Sequence, residues 1–327
     1  MKDKTIRKIL RYKMNKFLDS IEDQGLREDI KKNSFITGGC IVSMMHNEPV
    51  NDYDMYFTNK DTVIRVCEYY IEQFLKAYPV YQGTYTQVLY DDKGNAYSEE
   101  VNLVRVDVNE QTGRVKIFIK SQGVAGENQN EDEEDVPAHL KPEEPEKTEE
   151  EKKLHEKKFR PVYLTSNAIS LTDEMQLIIR FYGEPSEVHK NYDFLHCTAF
   201  WAPENNELHY SKEALKAIMD RNLIYSGSLY PLCSIFRIRK FIKRGWSINA
   251  GQILKMGFQL SKLDLSNRNV LEDQLVGVDS AYFGMIITAL QSQEKKQRES
   301  GELKPEDVFV VDQQYVMQLI DEVFDES

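Results

Sequence analysis

The strongest constraint on this chain lies in Phe35-Ile36-Thr37-Gly38-Gly39-Cys40, followed at a short interval by Asn51-Asp52-Tyr53-Asp54-Met55-Tyr56. An apolar run ends in two glycines, a short helical segment follows, and a second strand carries Asp-x-Asp. Strand side chains alternate, so Asp52 and Asp54 share one face while Tyr53 and Met55 take the other. Two adjacent carboxylates repel each other and are costly unless a cation sits between them. Glycines at a strand-to-helix turn let backbone N–H groups approach a phosphate, where the helix N-terminus adds its positive end. Carboxylates for a divalent cation beside a phosphate cradle are the parts that metal-assisted phosphoryl or nucleotidyl transfer requires.

The rest of the chain divides by pattern. Ile6, Ile9, Leu10, Met14, Phe17 and Ile21 recur at helical spacing, so residues 1–33 read as amphipathic helices. A helix is expected over 61–77. Alternating strands follow at 84–90, 101–108 and 115–119, with turn signals at Asp91-Asp92-Lys93-Gly94-Asn95 and Gln111-Thr112-Gly113. Strand character returns at 160–164 and 176–179, and Pro185 opens a short helix. Past residue 210 helical patterns dominate, at 212–221 with Ser211 as N-cap, then at 231–243, 250–262, 270–290 and 306–322. The expected fold class is therefore α/β (α+β). A catalytic domain with a mixed sheet spans 34–210, and an all-α C-terminal domain spans 211–327.

Charge is uneven along the chain. Thirteen Asp or Glu against six Lys between residues 127 and 158 contribute −7 of the net −12. That stretch lacks the apolar residues needed to offset ordering entropy, so a disordered acidic insertion is expected at 125–158. No run of about 18 apolar residues exists, so no membrane span is expected. Cys40, Cys67, Cys197 and Cys233 lie far apart without a Cys-x-x-Cys pair, which fits neither a zinc site nor a disulfide framework. A cytoplasmic protein is expected, in the host cytoplasm if viral.

Two later segments add candidate chemistry. In Asn191-Tyr192-Asp193-Phe194-Leu195-His196, read as a strand, Asp193 sits between two aromatics, and a bound metal would offset its desolvation. Asp107, in the alternating run at 101–108, is the second candidate acid, with an outward-facing strand position as its simpler reading. His189 and His196 flank Asp193 and read as packed or hydrogen-bonded side chains. Arg237, Arg239, Lys240, Lys243 and Arg244 place five cations within eight residues of one helix. Arg237, Lys240 and Arg244 form a basic face, and Ile235, Ile238 and Ile242 an apolar stripe expected against the core.

Together these residues resemble the nucleotidyltransferases of the DNA polymerase β type, in particular the CCA-adding and poly(A) polymerase branch. They also resemble nucleotidyltransferase-like proteins of bacteriophages. The glycine pair, the interval to Asp-x-Asp, Tyr-Asp-Phe and the basic helix ending Arg-Gly-Trp carry the resemblance. It implies two Mg²⁺ ions, or Mn²⁺, held by Asp52, Asp54 and Asp193. It also implies nucleotide contacts from Gly38, Gly39, Arg237 and Lys240, an NTP substrate (ATP or CTP), and a nucleic-acid acceptor, an RNA 3′ end. The Arg-Asp pair that CCA-adding enzymes carry after the glycines is replaced by Val42 and Ser43, and their base-selecting Asp/Glu-x-x-Arg element is missing. The resemblance therefore implies nucleotidyl transfer without implying CCA addition. A catalytically degenerate binding or structural (virion) protein, or transfer onto a protein or small molecule, are the alternatives.

Overall fold

The computed structural model describes residues 1–90, 96–119 and 158–265, with further residues between 267 and 318. The acidic insertion expected at 125–158 and the helices expected at 270–290 and 306–322 fall almost wholly outside the described residues. The chain begins with helices α1 (Asp3–Ser20) and α2 (Gln24–Lys32), then β1 (Ser34–Thr37), α3 (Gly39–His46), β2 (Tyr53–Phe57) and α4 (Lys60–Ala77). Two hairpins follow, β3 (Thr84–Tyr90) with β4 (Ala96–Asn102), and β5 (Val104–Val108) with β6 (Val115–Ile119). Next come β7 (Pro161–Leu164), β8 (Ala168–Leu171), β9 (Met175–Tyr182), the short α5 (Pro185–Val188), β10 (Phe200–Ala202), β11 (Glu207–His209) and α6 (Lys212–Met219). The last labelled helices are α7 (Pro231–Lys243) and α8 (Ala250–Leu260).

Seven strands form one mixed sheet in the order β11-β10-β1-β2-β9-β8-β7, antiparallel throughout except for the parallel β2–β9 pair. Strand register sorts its residues into faces. Leu208, Trp201, Ile36, Met55, Leu177, Ile169 and Leu164 lie opposite one another in a row across all seven strands. Apart from Leu208, at the edge, these are buried; they join the apolar stripe of α1 (Ile6, Leu10, Met14, Phe17), Ile41 of α3, and Val63, Val66 and Tyr70 of α4. Burial of this many large side chains, each contributing about 1.5–3 kcal/mol, fixes the register, because a one-residue slip would turn the whole row to the opposite face. The adjacent row runs His209, Phe200, Thr37, Asp54, Gln176, Ser170 and Tyr163 on the other face, and most of it is half-buried.

The stretch expected as one strand at 101–108 breaks at Leu103, and neither hairpin joins the seven-stranded sheet. Alternation predicts a strand but not its neighbour. The β5–β6 hairpin contributes Val104, Val115 and Ile117 to the core. The β3–β4 ribbon contributes none of its described side chains.

By contacts, the described residues divide into two compact units. The first comprises 1–119, 158–190 and 196–218; the second comprises 191–195 and the residues from 219 onward. Within the second unit, α7 starts at Pro231 as the sequence predicts, and Gly245, at φ +79°, lies just past its end. Its isoleucine stripe does not face the core: Ile235 is 38 % and Ile242 52 % exposed, while Pro231, Cys233 and Ser234 are buried. Aromatic packing overrides the stripe. The Phe241 ring lies 5.5 Å from Phe194 and 5.8 Å from Trp246, and larger rings bury more area than isoleucines. No described helix is long and apolar enough to cross a membrane.

Candidate functional site

The turn between β1 and α3 is built around Gly38, whose φ of +86° is a conformation L side chains rarely adopt. A Cβ placed there would come within 3.2 Å of Asp54 Oδ2. The carboxylate is thus lodged against the glycine turn, close enough that a side chain there would press on it. Gly39 opens α3, with Gly38 as its cap residue. Asp54 lies directly opposite Thr37, the residue before the turn. Asp52 is exposed, one residue ahead of β2, and Asp54 is half-buried, whereas Tyr53 and Met55 are buried.

Cys40 reports on the same corner. Burial raises its thiol well above the usual range, and the Asp54 and Asp52 carboxylates push it further in that direction. Thr37 Oγ1 donates to the Ala199 carbonyl at 2.8 Å and lies 2.9 Å from His189 Nε2. Donation to Ala199 leaves the hydroxyl to accept from His189, so the imidazole holds its proton on Nε2. The ring packs edge-on to Phe35, and burial lowers its pKa to about 4. His189 is therefore the packed, hydrogen-bonded histidine the sequence predicts, and it secures the strand that ends in the glycine turn. On the opposite side of β2, Lys13 of α1 lies 4.5 Å over the Tyr53 ring and 3.2 Å from Glu174. Sequence reasoning missed this contact, although Lys13 falls beside the apolar stripe of α1 rather than opposite it.

Asp193 belongs to the second unit and is not on a strand. It sits on a bend between the single turns His189–Asn191 and Leu195–Thr198, and Phe194 makes an isolated antiparallel bridge to Tyr225. The expected strand fails because Phe194 is anchored by Tyr225 and Phe241, contacts distant in sequence. Asp193 is 5 % exposed and pairs with Arg237 Nη1 at 2.8 Å. Tyr225 beside it has its phenol pushed up to about 12, chiefly by burial and also by the Asp193 carboxylate. Lys240 is exposed one turn further along α7. Asp107 lies on β5 and pairs with Arg105 Nε at 2.8 Å, within a hairpin separate from the main sheet.

Asp52 and Asp54 are the acids here whose oxygens could hold a hard cation. Of the two, Asp54 lies beside a glycine corner that carries no side chain. Among the described residues no group of three or more His, Cys, Asp or Glu side chains converges.

The model of the family described as Gabija anti-defense 2 matches residues 8–221, well over half of the chain. No curated protein matches it. Three solved structures are similar at low level. The CCA-adding enzyme of Thermotoga maritima complexed with tRNA has a TM-score of 0.38 and 10% identity, over 80% of this chain and 49% of that one. A tRNA-processing enzyme with CTP scores 0.34 at 12% identity, over 74% and 47%. A tRNA nucleotidyltransferase with a primer tRNA and an incoming ATP analogue scores 0.34 at 10% identity, over 74% and 51%. The chain spans about half the length of these structures. It belongs to the Gabija anti-defense 2 family.

Proposed function

We propose that this member of the Gabija anti-defense 2 family is a nucleotidyltransferase that counteracts the Gabija defense by moving a nucleotide from an NTP to a deprotonated hydroxyl acceptor, with pyrophosphate as the leaving group. The observation that carries the reading is the Asp54 carboxylate lodged against Gly38, one residue before a helix N-terminus and opposite Thr37. A strand-end acid beside an unobstructed backbone turn suits a metal-bound triphosphate, with the Gly39 end of α3 favouring its negative charge.

In this reading Asp52 and Asp54 are the protein's metal ligands. Divalent cations bound there would neutralise phosphate charge and favour ionisation of the attacking hydroxyl. Gly38 and Gly39 let the phosphates approach the backbone. Thr37 and His189 hold the end of β1 in place without touching substrate. Asp193 is proposed as the third acid, with Arg237 and Lys240 as phosphate contacts, Arg by bidentate bonding and Lys as a point charge. The acceptor is proposed to be an RNA 3′ end, with a protein or small-molecule hydroxyl as the alternative.

The test incubates the full chain with α-labelled NTPs and Mg²⁺ or Mn²⁺, separately with total RNA and with protein extract. Label is expected to follow one pool and to disappear in Asp54→Ala, whose circular dichroism should match the parent. Full incorporation by that variant would overturn the proposal. A second reading, a non-catalytic binding protein, is favoured by the Asp193–Arg237 ion pair, which engages the proposed third acid. It predicts counter-defense activity in cells that survives Asp54→Ala.

A further inference from the structure

The β3–β4 ribbon is one of two described hairpins outside the seven-stranded sheet, and unlike β5–β6 it is not packed on the core. Its two strands pair over seven residues each, from Thr84↔Asn102 to Tyr90↔Ala96, and among the described residues neither outer edge pairs with another strand. Both faces are open as well: six of the seven β4 residues are exposed, and so are Thr84, Thr86 and Val88 on β3. Tyr85 and Gln87 are only half-buried. The base is clamped, since Tyr85 Oη takes a hydrogen bond from Arg105 at 3.2 Å and its ring stacks 6.4 Å from Phe118. Beyond that clamp a two-stranded ribbon is marginal in water, and a third strand is what stabilises it.

The two edges are chemically unlike. Strand β4 carries Glu99 and Glu100, the charged side chains that blunt an edge against pairing. Strand β3, Thr-Tyr-Thr-Gln-Val-Leu-Tyr, has no charged residue, no proline and no glycine, and five of its seven residues are β-branched or aromatic. Val88 on it is 56 % exposed.

We infer that β3 is a docking edge and that its occupant is the β3 strand of a second copy of this chain. Antiparallel pairing about a two-fold axis at Gln87 sets Gln87 opposite its counterpart and Thr86 opposite Val88, so every contact is neutral and the edge is self-complementary. The same operation on β4, centred on Glu99, would set Glu99 against Glu99, which is repulsive. Four strands in one continuous ribbon would then replace two marginal pairs. This inference is independent of the proposed chemistry, because the ribbon shares no described element with Asp52, Asp54 or the glycine turn.

Sedimentation velocity of the full chain over a dilution series tests it. A reversible monomer–dimer equilibrium is expected. Val88→Lys, at an exposed position that leaves the fold intact, should weaken the dimer by roughly tenfold or more, since the symmetric contact contains the substitution twice. Ser98→Lys, the cross-strand partner of Val88 on the β4 side of the ribbon, should leave the dimer unchanged. Gln87→Cys should form a reductant-sensitive dimer under mild oxidation. A monomer at all concentrations, a dimer indifferent to Val88→Lys, or equal weakening by Ser98→Lys would each overturn the inference.

Discussion

Asp54 and Asp193, both expected as metal ligands, are held in opposite ways. Asp54 rests against backbone: a Gly38 Cβ would press on its carboxylate at 3.2 Å, and its strand position follows from the register with Thr37. Asp193 rests against side chains, with Arg237 at 2.8 Å and Tyr225 close by. A carboxylate set on a strand beside a glycine turn is preorganised by covalent geometry and sheet register. A carboxylate on a bend gets its position from partners more than 30 residues away in sequence. The first arrangement is set by backbone and register; the second is that of a buried ion pair, whose geometry also orders the segment carrying it.

Substitutions at the two sites sharpen the contrast. Gly38→Ala should have the largest effect on transfer, a loss of roughly tenfold or more, because the new Cβ presses on Asp54 and small misplacements of a catalytic group are costly. Conformational strain at φ +86° should also cost about 1 kcal/mol in urea unfolding. A Gly38→Ala variant with parent activity would break the claim that Asp54 depends on the bare turn. Next in size, Arg237→Ala should destabilise the chain by about 2 kcal/mol, because Asp193 is buried and loses a charged partner. Asp193→Ala should cost less, since the Arg237 side chain is 47 % exposed and can be hydrated. Equal costs would show that the pair is not asymmetric.

The last effect appears only on acidification and concerns the support under Thr37. Burial holds His189 neutral, with a folded pKa near 4 against an ordinary 6.5. The unfolded chain therefore binds a proton there first as pH falls, and stability rises with pH across that window. His189 should contribute its full stability above pH 6.5 and lose it progressively towards pH 4. Urea midpoints between these limits should fall less steeply in His189→Gln than in the parent, and parallel slopes would remove His189 from the account.

The glycine turn, the Asp-x-Asp strand and the faces of β2 were legible because they are local. Two glycines, and a period of two that sets Tyr53 and Met55 on the face opposite the acids, need no partner to be read. Helices α1, α4 and α7 were equally legible, as was the Ser211 cap, which accepts from Ala214 N–H at 2.9 Å. What failed was non-local. Nothing near Asp193 in sequence announces that Phe194 will bridge to Tyr225 and turn a strand into a bend. The isoleucine stripe of α7 was misread because periodicity shows which residues share a face but not which face the Phe241 ring will draw inward. The strands at 84–90, 104–108 and 115–119 were legible, but most of β4 and all the pairings were not, since alternation is common to a sheet, a packed hairpin and an open ribbon.

Calorimetric titration of Mn²⁺ with ATP or CTP into the full chain and into Asp54→Asn bears most directly on the central claim, that the glycine turn and Asp52/Asp54 form one metal–nucleotide site. The parent should bind nucleotide only with the metal present, and Asp54→Asn should weaken that binding by roughly a hundredfold or more, as expected when a ligand carboxylate is lost. Metal-independent binding, or identical isotherms for the two proteins, would contradict it.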